Sequence, residues 1–118
     1  MAAKLTTHVL DTANGCPAAQ MQIELWALTS DGRKLLKSVR SNADGRTEQP
    51  LLSGTELVAG QYELVFFVGD YFAAKTSEKP TFRFLDRVPV RFGIGDPAAN
   101  YHVPLLCSPW SYSTYRGS

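Results

Sequence analysis

The chain lacks most of the features that mark a specialised class of protein. Its 118 residues carry a formal charge of +1, which leaves no basic stripe for a nucleic acid. No apolar run is long enough to span a bilayer. The opening Met1-Ala2-Ala3-Lys4-Leu5 has no apolar stretch of the signal-peptide kind. Arg116-Gly117-Ser118 is not the Ser-Lys-Leu peroxisomal address. The expectation is a cytoplasmic protein with neither nucleic acid nor membrane as partner. Its two cysteines, Cys16 and Cys107, stand far apart and outside any Cys-x-x-Cys, so reduced, buried, inert thiols are expected rather than a disulfide framework. Two histidines and two cysteines at these spacings match no zinc pattern. There is no glycine-rich phosphate loop and no Gly-x-Ser-x-Gly elbow. Repeats, low-complexity stretches and linkers are also missing.

What is present is an ordinary globular balance. Hydrophobic residues make up 44% and charged residues 19%, enough for one domain over residues 1–118 with a real core. The dominant period is two. Met21, Ile23, Leu25 and Ala27 share one face of a strand over 20–28. Tyr62, Leu64, Phe66 and Val68 share a face over 61–68. Val88, Val90, Phe92 and Ile94 point inward over 87–94, with Arg87 and Arg91 outward. Each reads as a half-buried strand. Weaker strands cover about 4–11, 34–40, 101–108 and 112–117, with bounds good to about two to four residues. Asn14-Gly15 with Pro17, Asp31-Gly32 as a hairpin, Asn42 to Gly45, a long loop through Pro50 and Gly54, and Gly95-Asp96-Pro97 separate them. Residues 70–75 break the alternation and read as one short helix capped by Asp70. Many short strands with one helix predict an all-β antiparallel sandwich.

Few residues carry chemistry. His8 and His102 both fall inside predicted strands. For a lone histidine the plain reading is a hydrogen-bonded structural group, since a titrating imidazole needs a partner and a cleft. Arg46, after Asp44-Gly45, reads in isolation as a solvated turn arginine. Trp26, Trp110 and Phe66-Phe67 read as core or interface aromatics. The ending Tyr115-Arg116-Gly117-Ser118 puts a phenol, a guanidinium, a residue without a Cβ and a hydroxyl together. It is either a frayed end or part of a site. The residues alone give a β-sandwich with two histidines, two arginines and an unusual tail, and no substrate.

Thr6-Thr7-His8-Val9-Leu10-Asp11 with Gly15-Cys16-Pro17-Ala18, then Asp44-Gly45-Arg46, then Tyr101 to Leu106 and Ser108-Pro109 through Tyr112 to Ser118 carry a family resemblance. Over essentially the whole chain, the sequence resembles the 5-hydroxyisourate hydrolases, the transthyretin-related enzymes of urate breakdown. The resemblance implies two four-stranded sheets with one short helix, and a homotetramer built as a dimer of dimers. It implies active sites in a channel between dimers, with the tail folded into them. His8, Arg46, His102 and Ser118 are then the expected catalytic residues. His8, Arg46, Tyr115, Arg116 and Gly117 are expected to bind substrate, with no metal or cofactor required. Two other readings compete. A transthyretin-like carrier would favour an apolar channel, and a structural adhesion module would leave the tail mobile.

Overall fold

The protein's structure is a computed structural model that describes residues 2–117. The strong period-two segments form its larger sheet. β4 (Gln22–Thr29), β5 (Gly32–Arg40), β7 (Gly60–Phe67) and β8 (Arg87–Ile94) pair antiparallel in the order β5-β4-β7-β8. Ile23, Leu25, Leu64, Phe66, Val88 and Ile94 are buried on its inner face. The hairpin at Asp31-Gly32 is present, with Thr29 paired to Gly32 around Ser30 and Asp31. Gly32 there adopts a φ of +118°, a conformation that suits glycine. One irregularity interrupts the sheet. The register of β5 shifts opposite Leu25 and Trp26, leaving Leu36 as an extra residue whose side chain packs against the core.

The facing layer is built from much shorter pieces. β1 (Lys4–Thr6), β6 (Leu52–Ser53) and β9 (Tyr101–His102) form one three-stranded sheet, in the order β6-β1-β9. β2 (Val9–Asp11), β3 (Cys16–Pro17), β10 (Leu105–Cys107) and β11 (Tyr112–Thr114) form a four-stranded one, in the order β11-β10-β2-β3. The expected second four-stranded sheet is therefore divided in two. Both halves share one register: Leu5 pairs with Tyr101 and Val9 with Leu105 in parallel. The break falls between them, at Thr7-His8 and Val103-Pro104. Proline has no N–H to offer a ladder. The Thr7 hydroxyl occupies the Val103 carbonyl at 2.7 Å, while Val103 N and Leu105 N still donate to Thr6 and His8. With β1–β2 and β9–β10 read as interrupted strands, the layer is four strands wide. His8 thus sits in the interruption rather than inside a strand, and His102 closes β9.

Other boundaries moved for equally local reasons. The loop expected around Pro50 to Gly54 holds β6 and a 3₁₀ turn at Gly54–Glu56, because Leu51, Leu52 and Leu57 are buried and pull it inward. The helix α1 spans Val68–Ala73, two residues ahead of the expected 70–75. Val68 remains fully buried and Gly69 packs so closely that a Cβ there would lie 2.7 Å from Asp86 Oδ1. Asp70 does not cap it. The capping position is Phe67, without a side-chain bond, and Asp70 pairs instead with Arg83 at 2.6 Å. Cys107 is buried, and burial pushes its thiol up to about 12. Cys16 departs from expectation: it lies exposed on the edge strand β3. Trp110 is likewise exposed, whereas Phe66 is in the core.

A single apolar cluster joins the layers, from Leu5, Val9, Tyr101 and Leu105 on one side to Leu25, Leu64 and Phe66 on the other. Asp11 ties α1 to this core. Its carboxylate accepts bonds from Tyr71 Oη at 2.8 Å and from Asn14 N and Nδ2 at 2.9 and 2.7 Å. Burial alone would raise this carboxyl, but those bonds outweigh it and hold it below the usual value. Among the described residues no helix is long and apolar enough to cross a membrane.

Candidate active site

The interruption in the short-stranded layer gathers the candidate residues. His8 lies in the break between β1 and β2, directly before Val9, and its Nε2 lies 2.9 Å from the carbonyl oxygen of Asp44. A carbonyl only accepts, so Nε2 carries the proton, and in the neutral ring Nδ1 holds the lone pair. The loop that supplies this carbonyl is tightly built. Asn42 Oδ1 accepts from Asp44 N at 2.9 Å and Arg46 N at 3.1 Å, while Asn42 N donates to Arg46 O at 2.7 Å. Gly45 turns with φ +76°, and its carbonyl oxygen accepts from Val9 N at 2.8 Å. A Cβ at Gly45 would sit 2.3 Å from the Val9 carbonyl oxygen, so only glycine lets the loop press this close. Arg46, at the end of this loop, has an exposed side chain.

His102 comes from the neighbouring strand. Parallel pairing sets it beside Thr6, and its Nδ1 is 2.8 Å from Thr6 Oγ1. The ring is half-buried. Burial first, then the positive charge of Arg46 and that of His8, push its imidazole below the ordinary value of 6.5. That effect ties Arg46, His8 and His102 into one electrostatic group, although they lie far apart in the chain.

The tail reaches the same place by continuing a register. β11 pairs antiparallel with β10, with Leu105 opposite Thr114 and Cys107 opposite Tyr112. The chain then runs past the interruption and bridges again at His102 and Gly117, in the same register, with Gly117 N donating to His102 O at 2.7 Å. A Cβ on Gly117 would lie 2.5 Å from His102 Cδ2. The missing side chain is therefore what allows the tail to lie over the imidazole. Arg116 is anchored rather than free: its guanidinium lies 4.3 Å over the Tyr101 ring and donates to Asn100 O at 3.2 Å. Tyr115 is 60% exposed, facing away from the core. Ser118 lies outside the described residues.

A cavity of about 520 Å³ opens beside this group, lined by Lys4, Thr6, Asn100, Tyr101 and His102 among others. A larger one, about 710 Å³, lies between α1, residues 75–85 and Trp110, and none of the candidate residues lines it. Of the candidate residues only His102 lines the smaller one, and His8 and Arg46 line neither. Sequence reasoning missed Thr6, Asn100 and Asn42. Thr6 meets His102 only through the pairing of strands 96 residues apart, which no local pattern in one sequence reveals.

The profile of the HIUase/Transthyretin family matches residues 5–117. The chain belongs to that family. The 5-hydroxyisourate hydrolase of Ralstonia nicotianae is 56% identical, over 98% of this chain and 98% of its own. Among solved structures, an (S)-allantoin synthase matches with a TM-score of 0.92 and 52% identity. That match covers 99% of this chain but 44% of the other, so this chain spans less than half of that protein. A transthyretin from Sparus aurata superimposes with a TM-score of 0.85 over 98% of this chain and 97% of its own, at 25% identity. The fold is common to enzyme and transthyretin, and the sequence sits much nearer the enzyme. This member of the family is a hydrolase.

Proposed function

We propose that the chain hydrolyses 5-hydroxyisourate at the amide bond of its six-membered ring, giving 2-oxo-4-hydroxy-4-carboxy-5-ureidoimidazoline. The observation that carries the reading is His8 at the interruption of the sheet and His102 beside it, with Gly117 laid over the His102 ring and the charge of Arg46 acting on it. Such a substrate is flat and rich in carbonyl and N–H groups. It needs in-plane polar partners more than an apolar pocket.

Ring opening needs an activated water, a stabilised oxyanion and a protonated leaving nitrogen. A histidine held neutral near neutral pH is suited to take the water's proton and to return it to the nitrogen. His102 fits that state, because its charged form is disfavoured. His8 orients the water from the facing side, and the Ser118 hydroxyl relays or positions it. Arg46 binds a substrate carbonyl and meets the charge that grows on it during attack, a contribution of about 3–4 kcal/mol for an aimed donor in an enclosed site. Tyr115 and Arg116 shape the wall on the tail side. No metal or cofactor enters this scheme.

The same proposal includes a homotetramer, with dimers facing across a channel that encloses the sites, acting in the cytoplasm. Exposed Phe82, Phe84, Trp110 and Tyr112, and the edge strands β8 and β11, are the surfaces such an assembly would cover. Light scattering coupled to size exclusion measures it directly, and a monomer at working concentration would remove it.

The activity is tested by ultraviolet absorbance of 5-hydroxyisourate freshly made from urate by urate oxidase, with and without the protein. The substrate decays spontaneously, so the difference in rate is the result. Acceleration is expected, and His102→Ala is expected to reduce turnover by about 10²–10⁴-fold, the worth of a general base. No acceleration by folded protein would sink the hydrolase assignment and turn attention to ligand binding in the manner of a carrier.

A further inference from the structure

Thr6 has no part in the scheme above, yet it holds the most constrained polar contact made by His102. The pairing of β1 with β9 sets Thr6 directly beside His102, so both side chains project from the same face of the layer. The hydroxyl lies 2.8 Å from Nδ1. Thr6 is half-buried between Leu5 and Thr7, both buried, and a β-branched side chain on a strand has few rotamers to choose from. The contact is therefore built by the strand register rather than by a mobile loop.

On the basis of the hydrolase reading, we propose that Thr6 is the positioning residue of His102: its hydroxyl accepts from Nδ1–H and fixes Nε2 as the nitrogen that takes the water's proton. Among the described residues Nε2 has no hydrogen-bond partner, and it adjoins Cδ2, the ring atom that Gly117 covers. His8 is held the other way round, with Nε2 tied to a carbonyl and Nδ1 holding the lone pair. The two imidazoles thus present different nitrogens, each fixed by the partner on the other side of its ring.

The choice of a hydroxyl has a chemical consequence. A carboxylate at Nδ1 would favour imidazolium, as in a Ser-His-Asp arrangement. A hydroxyl oxygen accepts from Nδ1–H in the neutral ring and in the protonated ring alike, without adding a charge. When Nε2 gains a proton from water, Nδ1–H keeps its partner. When Nε2 passes that proton to the leaving nitrogen, the ring returns to its starting tautomer. The partner never has to rearrange, and the base stays weak enough to give its proton up again.

The test uses Thr6→Val, which keeps the shape and removes the hydroxyl, with Thr6→Ser as the conservative variant. In the valine variant kcat is expected to fall by about 10- to 100-fold, less than the whole worth of the base, with KM unchanged. The serine variant is expected to restore most of it. Heteronuclear NMR of the imidazole nitrogens in the unaltered protein is expected to find the His102 proton on Nδ1 at neutral pH. Full kcat in Thr6→Val, or a proton found on Nε2, would overturn the proposal. Should the valine variant fail to fold, the serine variant and the NMR spectrum still decide it. Should the unaltered protein not accelerate substrate decay at all, the activity reading fails, while the tautomer measurement still judges the contact between Thr6 and His102.

Discussion

In the sheet β5-β4-β7-β8 the strands run for eight or nine residues, broken only by the bulge at Leu36. Across the core, no strand among the described residues is longer than three residues. The first layer buries a dense apolar face and satisfies its backbone by a long ladder interrupted only at that bulge. The second gives up ladder bonds at Thr7-His8 and Val103-Pro104, and His8, His102 and Gly117 lie at or beside that gap. A continuous ladder fixes side chains in alternate directions at regular spacing. An interrupted one frees a pair of positions to turn toward each other while the flanking segments keep them in register. The difference teaches that regular structure here supplies stability, and its local absence supplies the candidate site.

If that division is right, damage to the two layers separates. Phe66→Ala, in the continuous sheet and fully buried, is expected to cost about 3–5 kcal/mol of stability. Activity per folded molecule is expected to remain. Denaturant unfolding alongside turnover at low temperature measures both, and a matching loss of kcat in the folded protein would break the comparison. Gly117→Ala reverses the pattern. A Cβ there would lie 2.5 Å from His102 Cδ2, so the imidazole or the tail must shift. Since a displacement of about 1 Å in a catalytic group can cost about 100-fold, kcat is expected to drop on that scale, with the unfolding midpoint little changed. Undiminished turnover would mean that the tail does not set the ring.

The smallest expected effect concerns charge. Burial, Arg46 and His8 all lower the His102 value from 6.5. The acid limb of kcat is therefore expected below 6.5, with the neutral ring active above it. Arg46→Gln removes one positive neighbour and is expected to move the His102 midpoint upward, though not fully to 6.5, because burial is the largest cause and remains. An NMR titration of His102 in both proteins checks the direction, and a downward move would contradict the arrangement. Stability follows the same sign. A histidine with a lowered native value contributes stability that is present above the unfolded value near 6.5 and lost as pH falls through the native one.

Much of the larger sheet was legible in the sequence. Met21, Ile23 and Leu25, then Tyr62, Leu64 and Phe66, then Val88, Val90 and Ile94 fall on the expected faces and are buried, while Ala27 and Phe92 on the same faces are only half-buried. The interrupted layer was less legible because its segments are too short to establish a period. The strands expected over 4–11 and 101–108 each contain a break. The break over 101–108 had a visible signal in Pro104. The one at Thr7-His8 had none, since it depends on where Val103 lies in space. Asp70 shows the limit of capping rules: an acidic residue ahead of helix formers can equally sit in the first turn when the core holds Val68 in place.

By itself the sequence determined the all-β class, the turns at Asp31-Gly32 and Asp44-Gly45, and the residues that carry the family resemblance. These depend on local preferences and on the period of two, which any single stretch of chain records. Only the tertiary structure decided that Thr6 holds His102, that Asp44 holds His8, and that Gly117 must lack a side chain. Each of those facts joins segments remote in the chain. Such contacts are set by strand register, and register is a property of two segments together that neither one encodes alone.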